Sequence, residues 1–241
     1  MPGFWPLSRK AKTYVTTPMP GPHPKYSCLP LKVVIRDVLK LAETSTEAVK
    51  ILNTGKVLVD KKVRKNPKFP VGLMDIIEIP ELHARYRINV NKNGLHLERI
   101  KEEETGIKLC RIVGKTTIKG GKNQLNLHDG RNILTKENYT VGDSVVIEIP
   151  DQKIIKHYSL KKGEHTFVIA GRNMGMKGQI KDIKQRKSLM EKSIVTIVSA
   201  DGKEIQTLRD YVMVGLLNEN EASDHEEKEK KPETRRKKEH A

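Results

Sequence analysis

Apolar residues recur at helical spacing in LKVVIRDVLKLA, residues 31–42, where Leu31, Val34, Ile35, Val38 and Leu39 share one face and predict a first helix. A second helix is predicted to start at a capping box formed by Thr44 and Glu47. It carries Ala48, Val49, Ile51 and Leu52 inward and stops at Gly55. The period then switches to two. Val57 and Val59 alternate as a strand, Asp60 to Lys62 make a turn, Val63 begins a return, and LMDIIEIP, residues 73–80, is a further strand ended by Pro80. From about residue 81 to 160 the pattern is β, with Asp129-Gly130 between alternating Leu125, Leu127 and Ile133 as a two-residue hairpin signal. SVVIEIP is another strand in this region. Beyond it, Phe167 and Ile169 alternate into Gly171, Ile180 and Ile183 alternate imperfectly, and SIVTIVSADGKEIQTL supplies two strands around Asp201-Gly202 before DYVMVGLL. Short strands with glycine turns in this last stretch predict a small barrel.

The ends differ in kind from this body. Residues 2–30 hold seven of the chain's 12 prolines together with Arg9, Lys10, Lys12 and Lys25, so they are predicted to run extended. Trp5, Tyr14 and Tyr26 are interleaved there, suited either to stacking on bases or, for Trp5, to packing in the core. Residues 218–241 are charged, nearly neutral overall and poor in apolar side chains, and are expected to be disordered.

Charge sharpens the picture. The net charge is +16, and residues 1–68 hold 14 lysines and arginines against four acidic residues. Such concentrated self-repulsion points to a polyanionic partner whose counterions are released on binding. A basic ridge of Lys56, Lys61, Lys62, Arg64, Lys65 and Lys68 lies beside the second predicted helix. Cys28 and Cys110 stand 82 residues apart with no CxxC pair, so neither a zinc site nor a disulfide framework is expected, and reduced thiols suit the cytoplasm. No run of 18 apolar residues and no signal-peptide core is present, which disfavours membrane insertion and secretion. Glu102, Glu103 and Glu104 are adjacent and cannot all face one site, so a solvated loop is expected there. His96 and His128 are spaced wrongly for a ligand pair and are assigned surface or satisfied polar roles. No catalytic set, cofactor loop, metal site or small-molecule site is predicted.

LAETSTEAVKILNTGKVLVD followed by KFPVGLMDIIEIP resembles the alpha-L RNA-binding motif, in the version found in the archaeal and eukaryotic-type small-subunit ribosomal family called "S four e". The motif also occurs in pseudouridine synthases, RNA methyltransferases and a tyrosyl-tRNA synthetase. KFPVGLMDIIEIP, PGPHP upstream and GGKNQLNLHDGRNI downstream resemble the ribosomal family more specifically. Two positions depart from the pattern: Thr46 stands where arginine is common, and Lys61 where glycine is common. Lys61 therefore has to accept its turn geometry without glycine's freedom. The basic extension before Trp5-Pro6 is also shorter than is usual in that family.

GRNMGMKGQI, residues 171–180, fails both the P-loop and the dinucleotide-binding spacings. Its glycines resemble instead the loop of a KOW motif, with Arg172, Asn173 and Lys177 placed to meet phosphate or base edges. The resemblance implies an α+β, mostly β chain: a basic proline-rich arm (1–30), an alpha-L RNA-binding domain (31–80), a central β domain (81–160), a KOW-type SH3-like barrel (161–217) and a charged tail (218–241). It implies a non-enzymatic constituent of the small ribosomal subunit that binds 16S-like ribosomal RNA beside neighbouring ribosomal proteins. The expected RNA contacts are Arg9, Lys10, Lys12, Lys56, Lys61, Lys62, Arg64, Lys65, Arg172, Asn173 and Lys177.

Overall fold

The computed structural model describes residues 2–7, 14–118, 120–186, 191–199 and 202–215. Arg9, Lys10, Lys12, Asp201 and the tail lie outside them. Two short helical segments, four 3-10 turns and 17 strands make up the described secondary structure, and every strand pair is antiparallel.

Strand β1 (Cys28–Pro30) pairs with β4 (Pro70–Gly72) and leads directly into α1 (Leu31–Val33). The first predicted helix is shorter than its apolar period suggested. After Val33 it widens into a π-helical turn, Val34–Val38, in which Leu39 N–H reaches back to the Val34 carbonyl, and Lys40 at φ +54° ends it. Helix α2 (Ser45–Asn53) follows with the complete capping box: Thr44 Oγ1 accepts from Glu47 N–H, while the Glu47 carboxylate accepts from Thr44 N–H. Its buried face is Ala48 and Leu52.

These helices rest against a five-stranded sheet ordered β3 (Lys62–Val63), β2 (Leu58–Val59), β5 (Ile76–Ile79), β6 (Ala84–Asn91) and β7 (Gly94–Arg99). The sheet runs across residue 80 without a break. Strand β5 starts later than the apolar run implied because Leu73 to Asp75 turn sharply, with Met74 at φ +65° and Asp75 directed inward. The arm is part of this core. Trp5 is 6% exposed and its indole N–H donates to the Cys28 carbonyl at 3.0 Å, so packing and not base stacking claims it. Tyr14 and Tyr26 remain exposed.

The middle sheet has the order β10 (Asn132–Thr135), β9 (Lys122–Leu127), β8 (Ile107–Ile118), β11 (Ser144–Glu148) and β12 (Ile154–Tyr158). The Asp129-Gly130 hairpin forms, but with three turn residues. Gly130 N–H bonds the Leu127 carbonyl, Leu127 N–H bonds the Arg131 carbonyl, and Gly130 sits at φ +75°. This is a type I turn closed by a glycine bulge. It frees Asp129 to turn inward. The last sheet is ordered β16 (Glu204–Leu208), β15 (Ile194–Ser199), β14 (Lys177–Lys184), β13 (His165–Val168) and β17 (Val212–Val214). No ladder joins β16 to β17 among the described residues, so where a small barrel was expected the hydrogen-bonded sheet is open on that side. A bulge between Ile180 and Asp182 explains the imperfect alternation: it turns both Ile180 and Ile183, three apart, onto the core. One apolar core runs from Trp5 through both helical segments to Leu109, Val146, Phe167 and Met213, tying the three sheets together. No described helix is long and apolar enough to cross a membrane.

Candidate nucleic-acid interface

The predicted ridge is built on the β2–β3 hairpin and the return to β4. Asp60 and Lys61 form its two-residue turn, at φ +50° and +62°, so Lys61 does adopt the left-handed geometry that glycine would relieve. Asp60 is anchored from within, its Oδ1 accepting from Ile76 N–H at 3.0 Å. Lys61 is held too: its Nζ bonds Glu78 Oε2 at 2.9 Å and Thr105 Oγ1 at 2.8 Å. Lys56 pairs with Glu81, but both are half exposed, and such a pair yields readily to a phosphate. Lys62, Lys65 and Lys68 are exposed, and the Arg64 guanidinium lies 4.4 Å over the Phe69 ring.

The fold adds cations that the linear reading did not select. Leu31 N–H bonds the Phe69 carbonyl and Lys32 N–H the Pro67 carbonyl, which brings the start of α1 beside Lys68. Burial, followed by the charges of Arg36 and Lys68, lowers the Lys32 ammonium from its ordinary value. Mutual proximity of cations is what a phosphate-facing surface requires. The only sequence signal was Lys68 itself, because the pairing with Lys32 depends on the long-range strand ladder. Thr46 is exposed on the first turn of α2, where it offers a hydroxyl and no charge.

The loop of residues 171–176 brings Arg172 and Asn173 together, lining a shallow groove of about 260 Å³ with Tyr211, Leu208 and Gln206. Lys177 belongs to strand β14 and does not line that groove. The glycines there allow close packing within the chain. A Cβ on Gly175 would fall 2.6 Å from the Asn91 backbone, and one on Gly178 2.2 Å from the Val198 carbonyl oxygen. Met174 packs against the main core, as expected for loop packing.

Behind the ridge lies a buried ionic cluster. Lys108, near the start of β8, has a fully buried side chain whose Nζ meets Asp75 at 2.6 Å, Asp60 at 2.8 Å and Asp129 at 3.0 Å. Arg131 joins Asp60 at 2.6 Å and Asp129 at 3.3 Å, and His23 of the arm meets Asp75 at 2.9 Å. Burial alone would raise the Asp75 and Asp129 carboxyls, yet nearby basic side chains hold both below their ordinary range. For Asp75 these are His23 and Lys108, and for Asp129 Lys108 leads. Asp60 is raised, by burial and then by Asp75. Lys108 is raised well above its ordinary value because the three carboxylates more than offset its burial. The cluster thus staples the arm and the middle sheet to the back of the Asp60-Lys61 turn. Among the described residues no group of His, Cys, Asp and Glu is arranged to hold a metal ion, and Lys108 fills the space among these carboxylates.

His128 beside it accepts Arg111 N–H at Nδ1, 3.2 Å, so Nε2 carries the proton toward the Leu73 carbonyl, also 3.2 Å. Burial lowers its pKa to about 4, and its polar role is satisfied as expected. Glu104 departs from a solvated loop: it is half-buried against Arg87.

Two short helical segments on an antiparallel sheet, with a cationic hairpin edge, define a protein of the S4-domain class. Residues 30–77 match the S4 domain, residues 82–154 the ribosomal family S4e, and residues 1–26 the RS4NT (NUC023) domain. The small ribosomal subunit protein eS4 of Methanothermobacter thermautotrophicus is 46% identical over 214 residues, covering 88% of each chain. That of Methanococcus vannielii is 40% identical over 222 residues, covering 88% of this chain and 90% of the relative. The crystal structure of the 30S ribosomal protein S4e from Thermoplasma acidophilum superposes with a TM-score of 0.68 at 32% identity, covering 78% of this chain and 94% of that one. The chain belongs to the ribosomal family S4e.

Proposed function

We propose that the protein is a structural constituent of the small ribosomal subunit that binds ribosomal RNA and supports translation. The observation that carries this reading is the exposed run Lys62, Lys65 and Lys68 on the β2–β3 hairpin and the return to β4, with Lys32 brought beside Lys68 and the hairpin turn braced from behind by the Lys108 cluster. Its relatives bear the name small ribosomal subunit protein, a family of structural proteins and not enzymes. The RNA is 16S-like ribosomal RNA, recognised by folded shape and phosphate positions more than by base sequence, and the working location is the cytoplasmic ribosome among other small-subunit proteins.

In this reading the arm (1–30) carries Arg9, Lys10 and Lys12 along the RNA, the alpha-L domain (31–80) supplies the ridge, and the middle β domain (81–160) sets the spacing to the C-terminal unit (161–217). That unit is a KOW-type, SH3-like half-open barrel. Five antiparallel strands and a single 3-10 turn, Arg209–Tyr211, between its last two strands support the assignment. Arg172 and Asn173 meet RNA at the Tyr211 groove, and Lys177 contributes from the strand beyond it. Lys56 and Lys61 act after exchanging their carboxylate partners for phosphate, which makes them weaker contacts than Lys62 or Lys65. Tagged protein in a cell lysate should co-sediment with small ribosomal subunits at physiological salt; migration only as free protein would sink the assignment.

A further inference from the structure

A second recess lies between the middle and C-terminal sheets, away from the ridge. It is a cleft of about 390 Å³ walled by Asn138, Thr140, His157 and Ser159 on one side and Ile183, Gln185 and Arg209 on the other, with Leu160 and Lys161 from the connection between the sheets. Its only carboxylate among those lining groups, Asp143, is buried and already occupied. It accepts from Thr140 N–H at 3.1 Å, from Leu160 N–H at 2.9 Å and from His157 Nε2 at 3.0 Å. Because Asp143 holds the Nε2 proton of His157, the other ring nitrogen is the one left for a ligand. Arg209 is set in place by its bond to the Val141 carbonyl and by packing over Gly142, where an added Cβ would come within 2.9 Å of its Nη2. Two cations, two carboxamides, two hydroxyls and two aliphatic side chains thus converge on one recess.

We infer that this cleft takes a single unpaired nucleotide of the bound RNA, with its phosphate at Lys161 and Arg209 and its base between Leu160 and Ile183. The volume falls within the range of small-ligand sites. The Gln185 carboxamide carries a donor and an acceptor, and Asn138, whose Oδ1 already accepts from Lys115, adds donors; this is the complement that an unstacked base presents on its Watson–Crick edge. The inference rests on the RNA-binding reading and adds to it a single-stranded contact distinct from the ridge.

The test uses the full chain, 15N-labelled, titrated with a seven-nucleotide unstructured RNA and, separately, with free nucleoside monophosphates, while amide shifts are followed. The expected result is shifts at Asn138, Thr140, Ser159 and Gln185 with the oligonucleotide, and weaker shifts at the same residues with the monophosphates. A Lys161→Glu, Gln185→Ala variant, altered at two cleft side chains, should bind the oligonucleotide about fivefold or more weakly. Its affinity for a ribosomal RNA duplex should stay within about twofold, because ridge contacts dominate there. Oligonucleotide shifts confined to the ridge, or equal weakening toward both RNAs, would overturn the cleft while leaving the ridge intact. Failure of the parent chain to bind either RNA would overturn both readings.

Discussion

Replacing Lys108 by methionine removes the charge at the centre of the buried cluster while keeping a flexible side chain of similar length. Three carboxylates then face one another with only Arg131 and His23 as basic side-chain partners, at contacts of 2.6–3.3 Å for Arg131 and 2.9 Å for His23. Removing one partner from a buried ionic group costs about 3–5 kcal/mol. A domain has about 5–15 kcal/mol in total, so the variant should be close to marginal at neutral pH. The sign with pH follows from the carboxyls. Asp75 and Asp129 are depressed in the folded parent, so their contribution is present above the unfolded value of about 3.9 and is lost as pH falls through the lower folded values. Asp60 is raised and works the other way between its unfolded and folded values. Without Lys108 all three carboxyls move up, acid protonates and relieves them, and the deficit should shrink between neutrality and about pH 4. Raised Lys108 contributes below its unfolded value of about 10.5 and is lost only above that, as pH rises through the folded value. Trp5, the chain's single tryptophan, sits in the core bonded to Cys28, so its fluorescence follows urea unfolding. A loss under about 1 kcal/mol, or one that does not change with pH, would refute the argument. Converting Asp60, Asp75 and Asp129 to Asn in the same chain should recover part of the loss; additive further destabilisation would contradict the coupling.

Three more outcomes follow. His128 is held neutral, with its pKa lowered to about 4 against an unfolded value near 6.5, so parent stability should decline as pH falls from about 6.5 to 4 and His128→Gln should flatten that decline in urea titrations at several pH values. Thr44→Ala removes the hydroxyl half of the α2 capping box and should cost about 1 kcal/mol in the same assay. Replacing Lys62, Lys65 and Lys68 by Ala should reduce the slope of log affinity against log salt by about 2–3 for ribosomal RNA, whereas Lys61→Ala should change it less and stability more, since Lys61 already serves Glu78 and Thr105.

Local features were the legible ones. The capping box, the Asp60-Lys61 turn, the antiparallel strands and the basic ridge each depend on residues within a few positions of one another. What escaped depends on long-range register. The π-helical widening after Val33 leaves no mark in a helical apolar period. Trp5 offered two roles until its indole met the Cys28 carbonyl. Lys108 was not singled out, because its three carboxylate partners lie 33, 48 and 21 positions away and meet it only in the folded register. Lys56 and Lys61 were indistinguishable from Lys62 and Lys65 in sequence, because Glu78 and Glu81 reach them only across folded strands. The glycines of residues 171–178 signalled close approach, and the approach is to Asn91 and Val198 of the same chain.

The most direct test places a radical source on the ridge inside the assembled subunit. Cys28 and Cys110 are fully buried, and burial raises both thiols, Cys28 to about 11, so a Lys65→Cys variant offers one reactive site for an iron-chelate probe. After reconstitution into small subunits, hydroxyl radicals from that site should cut the ribosomal RNA strongly at one localised set of nucleotides. A probe at Leu134→Cys, exposed on the middle sheet, should give a different and weaker pattern. Absence of RNA cleavage from position 65 in subunits that contain the labelled protein would contradict the ridge as the ribosomal RNA contact.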